Sequence, residues 1–314
     1  AGDASASFLI DQVFNEEMPP KTPLSDDEVD LLEAWVEAGA RYPDTPLDLF
    51  AYTTDRRSGY DWWSLQPIVR LDAPRLEDEA IPDGWDEHAI DRFVLEKLFE
   101  AGLNPSSDAD PRTLIRRATY DLTGLQPTRG GVASFVLACE SEAGRDRIVG
   151  ERAYRALLDQ LLASDRYGER WGRHWLDVVR FGESTGFEVN HIVDGMWRYR
   201  DYVIGSLNDD KPYDRFVLEQ LAGDAVGSGD VDVEVGMTFL VAGAHDIVGN
   251  QDAVQAAQIR ANTVDEMIRT TSESFLGLTV GCARCHDHKF DPILTTDYYA
   301  LASIFASTRS YEDW

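Results

Sequence analysis

The stretch Gly281-Cys282-Ala283-Arg284-Cys285-His286-Asp287-His288-Lys289-Phe290 holds two of the chain's three cysteines and two of its six histidines. Thiolate sulfur and imidazole nitrogen are the side-chain ligands of soft and borderline metals. Cys-x-x-Cys puts two thiols about one helical turn apart, and His286 follows four residues after Cys282. That spacing lets two thioether bonds grip the vinyl groups of a haem c while His286 reaches the iron from the same side as proximal ligand. Two other chemistries compete for the same residues. Zinc would take Cys282, Cys285 and one of His286 or His288, and no second Cys/His pair supplies a fourth ligand at the usual spacing. A disulfide or redox dithiol would be expected in a thioredoxin-like strand–helix–strand context, which the sequence lacks. Haem is the leading expectation.

A haem iron usually takes a second axial ligand. His174, in "RWGRHWLDVVRF", shares a helical stripe with Trp171, Trp175 and Val178 and is the first candidate, although a histidine so placed is more often a hydrogen-bonded core residue. His245 and His191 are weaker candidates. His288 stands two residues beyond His286 and points elsewhere, so its roles would be to orient the site, reach a haem propionate or bind a neighbouring group. Met18 lies in "EEMPP", where Pro19 and Pro20 fix an extended turn that offers the sulfur in one direction. With no Cys-x-x-Cys-His before it, the residues alone make Met18 a gap filler in a small helical core. Asp177, Glu183, Glu188, Asp265 and Glu266 could pair as hydrolytic carboxylates, but in so acidic a chain such pairs arise by chance. Cys139, in "FVLACESE", reads as a buried small hydrophobe.

The elements that must position these groups follow from composition and pattern. A chain of 314 residues can bury a substantial core in one large domain or two. A formal charge of −28 repels phosphate, which argues against nucleic acid and anionic lipid as partners and leaves cationic ones open. No segment approaches the roughly 18 unbroken apolar residues of a membrane helix. The start, "AGDASASFLI", shows no export leader and runs at once into an amphipathic pattern, so a fragment or processed product of a longer protein is expected.

Three regions are expected: 1–41, 42–86 and 87–314. In the first, Ser25-Asp26-Asp27-Glu28 is a capping box ahead of Val29, Leu32, Trp35 and Val36. The second is rich in Pro, Asp and Gly and reads as a linker that docks through Trp62 and Trp63. The third repeats helical patterns, with Asp110 and Pro111 opening one of them and "VDVEVGMTFLVAG" as the best strand candidate. Asp91–Leu98 and Asp214–Leu221 are nearly the same octapeptide; the flanks differ, so they read as two similar amphipathic helices rather than a duplication. The fold class is mostly α, cytochrome-like, with few or no strands.

The blocks "DWWSLQPIVR", "AIDRFVLEKLFEAGLNPSSDADPRTLIRRATYDLTGLQPT", "LLASDRYGERWGRHWLDVVRF", "WRYRDYVIGSLNDDKPYDRFVLEQLAGD" and "FLGLTVGCARCHDHKFDPI" cover most of 61–305. Together they resemble the large cytochrome c-like proteins abundant in planctomycetes, at their central domain of unknown function. In that family a small cytochrome c domain precedes the central one and a further domain follows. The resemblance implies that residues 1–41 are the second half of the small domain and that Met18 is the distal ligand of a first haem. This sequence lacks the first Cys-x-x-Cys-His and the following domain, so a second haem would need an upstream segment. The resemblance also places His288 and Lys289 in the haem surroundings. It implies an exported, periplasmic or extracellular protein that exchanges electrons with a redox partner or other haem domains. A haem-dependent oxidoreductase acting on complex carbohydrate is the activity presumed for the family. The rival expectation is a carbohydrate-binding or hydrolytic domain with a zinc or disulfide closing the cysteine motif and Trp62, Trp63, Trp197 and Tyr199 stacking on sugars. A third is an assembly module whose partners cover the acidic surface.

Overall fold

A computed structural model of the chain describes residues 2–18, 23–41, 48–76, 81–82, 84–142, 151–187, 189–246 and 252–309. Pro19, Pro20 and Glu188 lie outside the described residues. Two compact units divide the chain, Ala1–Gln66 and Pro67–Trp314.

The first unit contains α1 (Phe8–Phe14) and α2 (Asp26–Glu37), which pack on each other. Ser25 starts α2 as expected: its N–H and hydroxyl both donate to the Glu28 carboxylate, at 2.8 and 2.9 Å. Trp62 and Trp63 lead into a single 3-10 turn, Trp63–Leu65.

The regular elements of the second unit's described residues are all helical. The unit begins with α3 (Ala89–Glu100), α4 (Pro111–Thr123), α5 (Arg129–Glu142) and α6 (Glu151–Leu162). Asp110 caps α4 by accepting from the amides of Arg112 and Thr113 at 3.0 and 3.1 Å, and Gly124 ends it in the left-handed conformation. Ile115, Phe135, Leu157 and Leu161 join α4, α5 and α6 in one apolar core, and Cys139 is buried among them.

A larger core is built by α7 (Asp165–Val178), α8 (Trp197–Asn208), α9 (Tyr213–Gly227), α11 (Thr238–Val241), α12 (Ala253–Thr271) and α13 (Thr295–Phe305), with the short α10 (Val231–Glu234) packed on α9 outside it. Two glycines let α7 and α8 cross closely: a Cβ on Gly168 would come within 2.5 Å of the Ile204 carbonyl oxygen, and one on Gly172 within 3.2 Å of the Ile204 side chain. At the centre, Trp175 meets Phe216 edge-on at 5.0 Å between ring centroids and packs beside Phe239 and Phe275. The Trp175 indole donates to the Tyr199 hydroxyl at 3.1 Å, which donates on to Gln220 Oε1 at 2.7 Å, so both ring donors are satisfied in the core.

The sequence's best strand candidate is a correction. "VDVEVGMTFLVAG" forms α10, a 3-10 turn (Val235–Met237) and α11, because α9 offers it a close glycine-lined seat. A Cβ on Gly223 would meet the Val233 carbonyl oxygen at 2.8 Å, and one on Gly236 the Glu219 carbonyl oxygen at 2.8 Å. A short apolar run has no period long enough to separate a strand from a buried helical turn; packing decides. Among the described residues there is no strand, only the isolated bridges Thr54–Arg57 and Ser184–Ile192. No helix among them is long and apolar enough to cross a membrane.

Candidate functional site

The cysteine motif is presented by the turn between α12 and α13. Asp252 caps α12, accepting from the amides of Val254 and Gln255 at 2.7 and 3.1 Å. The helix widens into a π turn over Ser272–Leu276, reverses at Gly277 with φ of +65°, and the chain re-forms a 3-10 turn over Val280–Arg284. Cys282 lies in that turn and Cys285 caps it.

Asp265 holds the turn against α12. Asp265 is only 7% exposed, and its carboxylate has three partners: Arg269 Nε at 2.8 Å, Arg284 Nη1 at 3.3 Å and the Tyr298 hydroxyl of α13 at 2.7 Å. Arg269 Nη2 then donates to the Gly281 carbonyl at 3.1 Å, and Arg284 Nη2 to Asn262 Oδ1 at 3.0 Å. Gly281 has to be glycine because the Arg269 guanidinium lies against it; a Cβ would come within 2.4 Å of Cζ. The hydrogen bond to Asp265 raises the Arg269 pKa, and burial together with Asp265 raises that of Tyr298, so both stay protonated donors at neutral pH.

On the outer side, Cys282, Cys285 and His286 are exposed, and the two cysteines are free thiols. His286 Nδ1 sits 2.8 Å from the Asp287 carbonyl oxygen. A carbonyl only accepts, so Nδ1 carries the proton and Nε2 keeps its lone pair for a metal. Metal-binding histidines are held in this way, the second nitrogen donating to backbone or carboxylate. Asp287 Oδ1 accepts from the Thr295 amide at 2.8 Å and ties the segment to the start of α13. Phe290 and Tyr299 are exposed beside the motif, and the Tyr299 hydroxyl donates to the Arg284 carbonyl at 3.3 Å.

His288 is built into the loop. It is 5% exposed, and its Nδ1 accepts from the amides of Asp291 and Phe290 at 2.8 and 3.3 Å. Nε2 must then carry the proton, which it gives to Thr279 Oγ1 at 2.9 Å. Both ring nitrogens are occupied, so of the roles open to His288 the geometry leaves orientation of the motif. Lys289 is exposed and lies over the Phe290 ring at 5.1 Å.

The donor set fits a haem c: two unpaired exposed thiols a turn apart, and an imidazole with an outward lone pair fixed through its other nitrogen. Among the described residues, no group of three or more His, Cys, Asp or Glu converges as a metal centre.

The other residues singled out from sequence lie elsewhere. His174 is exposed on α7, 5.5 Å from the Trp171 ring, and lines an apolar cavity of about 260 Å³ whose walls include Trp175, Leu207 and Phe216 but no residue of the motif. Met18, in the first unit, is 51% exposed and hydrogen-bonds through its amide to Gln12. His191 pairs through its backbone with Thr185, and the His245 amide donates to the Thr185 carbonyl. Glu183 pairs with Arg200 at 2.9 Å and Glu266 with Arg180, while Asp177 is exposed. Asp265, one of the carboxylates weighed from sequence for a hydrolytic pair, anchors the motif. No sequence signal marks that role, since its partners come from three different segments.

No curated protein matches the chain, and no solved structure does. Residues 89–310, which include the whole of the cysteine motif and its anchors, match the family model described as PSCyt2, protein of unknown function (DUF1549), and the chain therefore belongs to that family.

Proposed function

We propose that this chain is an exported c-type haem protein that passes electrons, related to the planctomycete cytochrome c-like proteins that its motifs resemble. The observation that carries the reading is the state of the motif: Cys282 and Cys285 are exposed free thiols, and His286 is locked through Nδ1 with Nε2 open. In attachment each thiol adds across one vinyl group, a C–S bond forms, and the thiol proton goes to the neighbouring vinyl carbon, so no oxidant is required. The bound haem supplies one-electron chemistry at its iron.

The chain's own residues do the rest. Asp265, Arg269 and Arg284 keep the cysteine turn in one geometry, and His288 keeps the following loop from relaxing. His286 would hold the iron through Nε2, the nitrogen its backbone contact leaves open. The motif is on the surface, which suits exchange with a docked partner, and a net charge of −28 favours a partner with a basic face. Export follows from this reading, because covalent haem is attached outside the cytoplasmic membrane. Oxidation of a carbohydrate-derived donor is the activity that the resemblance suggests.

The test is the absorption spectrum of protein expressed in a host with haem-attachment machinery. A Soret band that shifts on reduction is expected; its absence in properly exported protein contradicts the reading.

A further inference from the structure

Arg180 occupies a backbone position that favours glycine. It is the first residue past the cap of α7, with φ of +59°, and Phe181 closes the helix end by donating to the Leu176 carbonyl at 2.9 Å. Helices that end this way usually place glycine there, because a Cβ is strained in the left-handed region. An arginine kept at such a position points to work for its side chain.

The guanidinium lies on the backbone of Gly243, where a Cβ would come within 2.9 Å of Cζ. Glu266 is ion-paired with Nη1, but among the described residues none of the three buried guanidinium nitrogens has a hydrogen-bond partner, which leaves the Nε and Nη2 edge with no counter-charge of its own. Those two nitrogens form the edge of a guanidinium that takes a carboxylate in two parallel hydrogen bonds. Arg180 and Glu266 line a pocket of about 440 Å³ together with Val178, Thr270, Glu273 and Ser274. The hydroxyls of Thr270 and Ser274 are also buried and, among the described residues, unpartnered. Buried donors without acceptors cost stability, and native proteins leave few of them. Here several converge on one cavity, of a size suited to a small ligand.

We propose that this pocket binds a small organic carboxylate, which docks on the Nε/Nη2 edge of Arg180 while its other oxygens meet Thr270 and Ser274. Glu266, whose side chain is 47% exposed, swings off Nη1 into water, so one carboxylate replaces another at Arg180, with Glu273 staying as a negative wall of the pocket. Arg269 forms a further wall, and it packs on Gly281 and lies within electrostatic reach of Cys282. The bound acid therefore sits next to the cysteine motif. The pocket is made by the polypeptide alone, so this inference stands independently of haem attachment.

Calorimetric titration of the full chain with succinate, lactate and benzoate tests it, with succinamide and inorganic phosphate as controls. At least one carboxylate should saturate a single site, and succinamide should not bind. Arg180→Gly, which the backbone accepts without strain, should weaken binding by at least about tenfold while the melting temperature holds. Glu266→Gln should tighten it, and the double variant Cys282→Ala, Cys285→Ala should bind as the parent does. Failure of all three acids to saturate, unchanged affinity in Arg180→Gly, or equal affinity for phosphate overturns the proposal.

Discussion

Arg284, which stands between the two cysteines of the motif, is ion-paired with Asp265 of α12 at 3.3 Å. The same carboxylate holds Arg269 at 2.8 Å and the Tyr298 hydroxyl at 2.7 Å, so the helix before the motif, the motif and the helix after it meet at one buried anion. A turn carrying two exposed thiols is thereby given one geometry. Surface ion pairs contribute little, but a buried carboxylate with three partners is costly to remove because its partners are left unpaired.

Replacing Asp265 by Ala should therefore destabilise the chain by about 3–5 kcal/mol. Urea denaturation of parent and variant measures this. A loss below about 1 kcal/mol, the level of an exposed pair, would mean that the network does not hold the turn.

His288 accepts two loop amides and donates to Thr279, all within the motif's own loop. His288→Ala should cost roughly 1–3 kcal/mol, the penalty for buried groups left without partners. The effect should be local: hydrogen exchange at the Phe290 and Asp291 amides should accelerate while that of α4 to α6 is unchanged. Equal protection of those two amides in parent and variant would show that the ring does not clamp the loop.

Glu219 gives a pH dependence with a defined sign. It is 2% exposed; burial drives its carboxyl upward, but hydrogen bonds from Lys211, Tyr202 and Arg215 outweigh burial and hold its pKa below the ordinary 4.5. A carboxyl lowered on folding stabilises the native state fully above 4.5 and loses that contribution as pH falls through the folded value. Stability of the parent should thus decline in acid more steeply than that of Glu219→Gln, which has no proton to take up. Denaturation midpoints measured from neutral pH down to below 4.5 check this, and parallel curves would contradict it.

The helix starts were legible because capping is local: Ser25 with Glu28, and Asp110 with Pro111, write their own beginnings. The two near-identical octapeptides are indeed both helical, in α3 and α9. Yet Glu219 of the second is buried against Lys211 and Arg215 while Glu96 of the first is not buried, a difference set by neighbours and invisible in the repeat. The same holds for Asp265. Its partner Tyr298 is 33 residues away, and only the fold brings the two together. "VDVEVGMTFLVAG" misled because a short apolar run reads alike as strand or buried turn. The proximity of the two cysteines and His286 was legible because it rests on spacing over five residues, and the 3-10 turn with its exposed end keeps them together. The strained Arg180 and its pocket were not, because a left-handed cap on a non-glycine residue leaves no mark in sequence.

The central claim is that Cys282 and Cys285 attach haem. Its most direct test is the denatured intact mass of the exported chain from a host with haem-attachment machinery, read with thiol alkylation. The account predicts a mass increased by one haem, both motif thiols blocked to the reagent, and loss of covalent haem in Cys285→Ala. An unmodified mass with Cys282 and Cys285 both open to alkylation, in cells where a control cytochrome c is fully loaded, would contradict it.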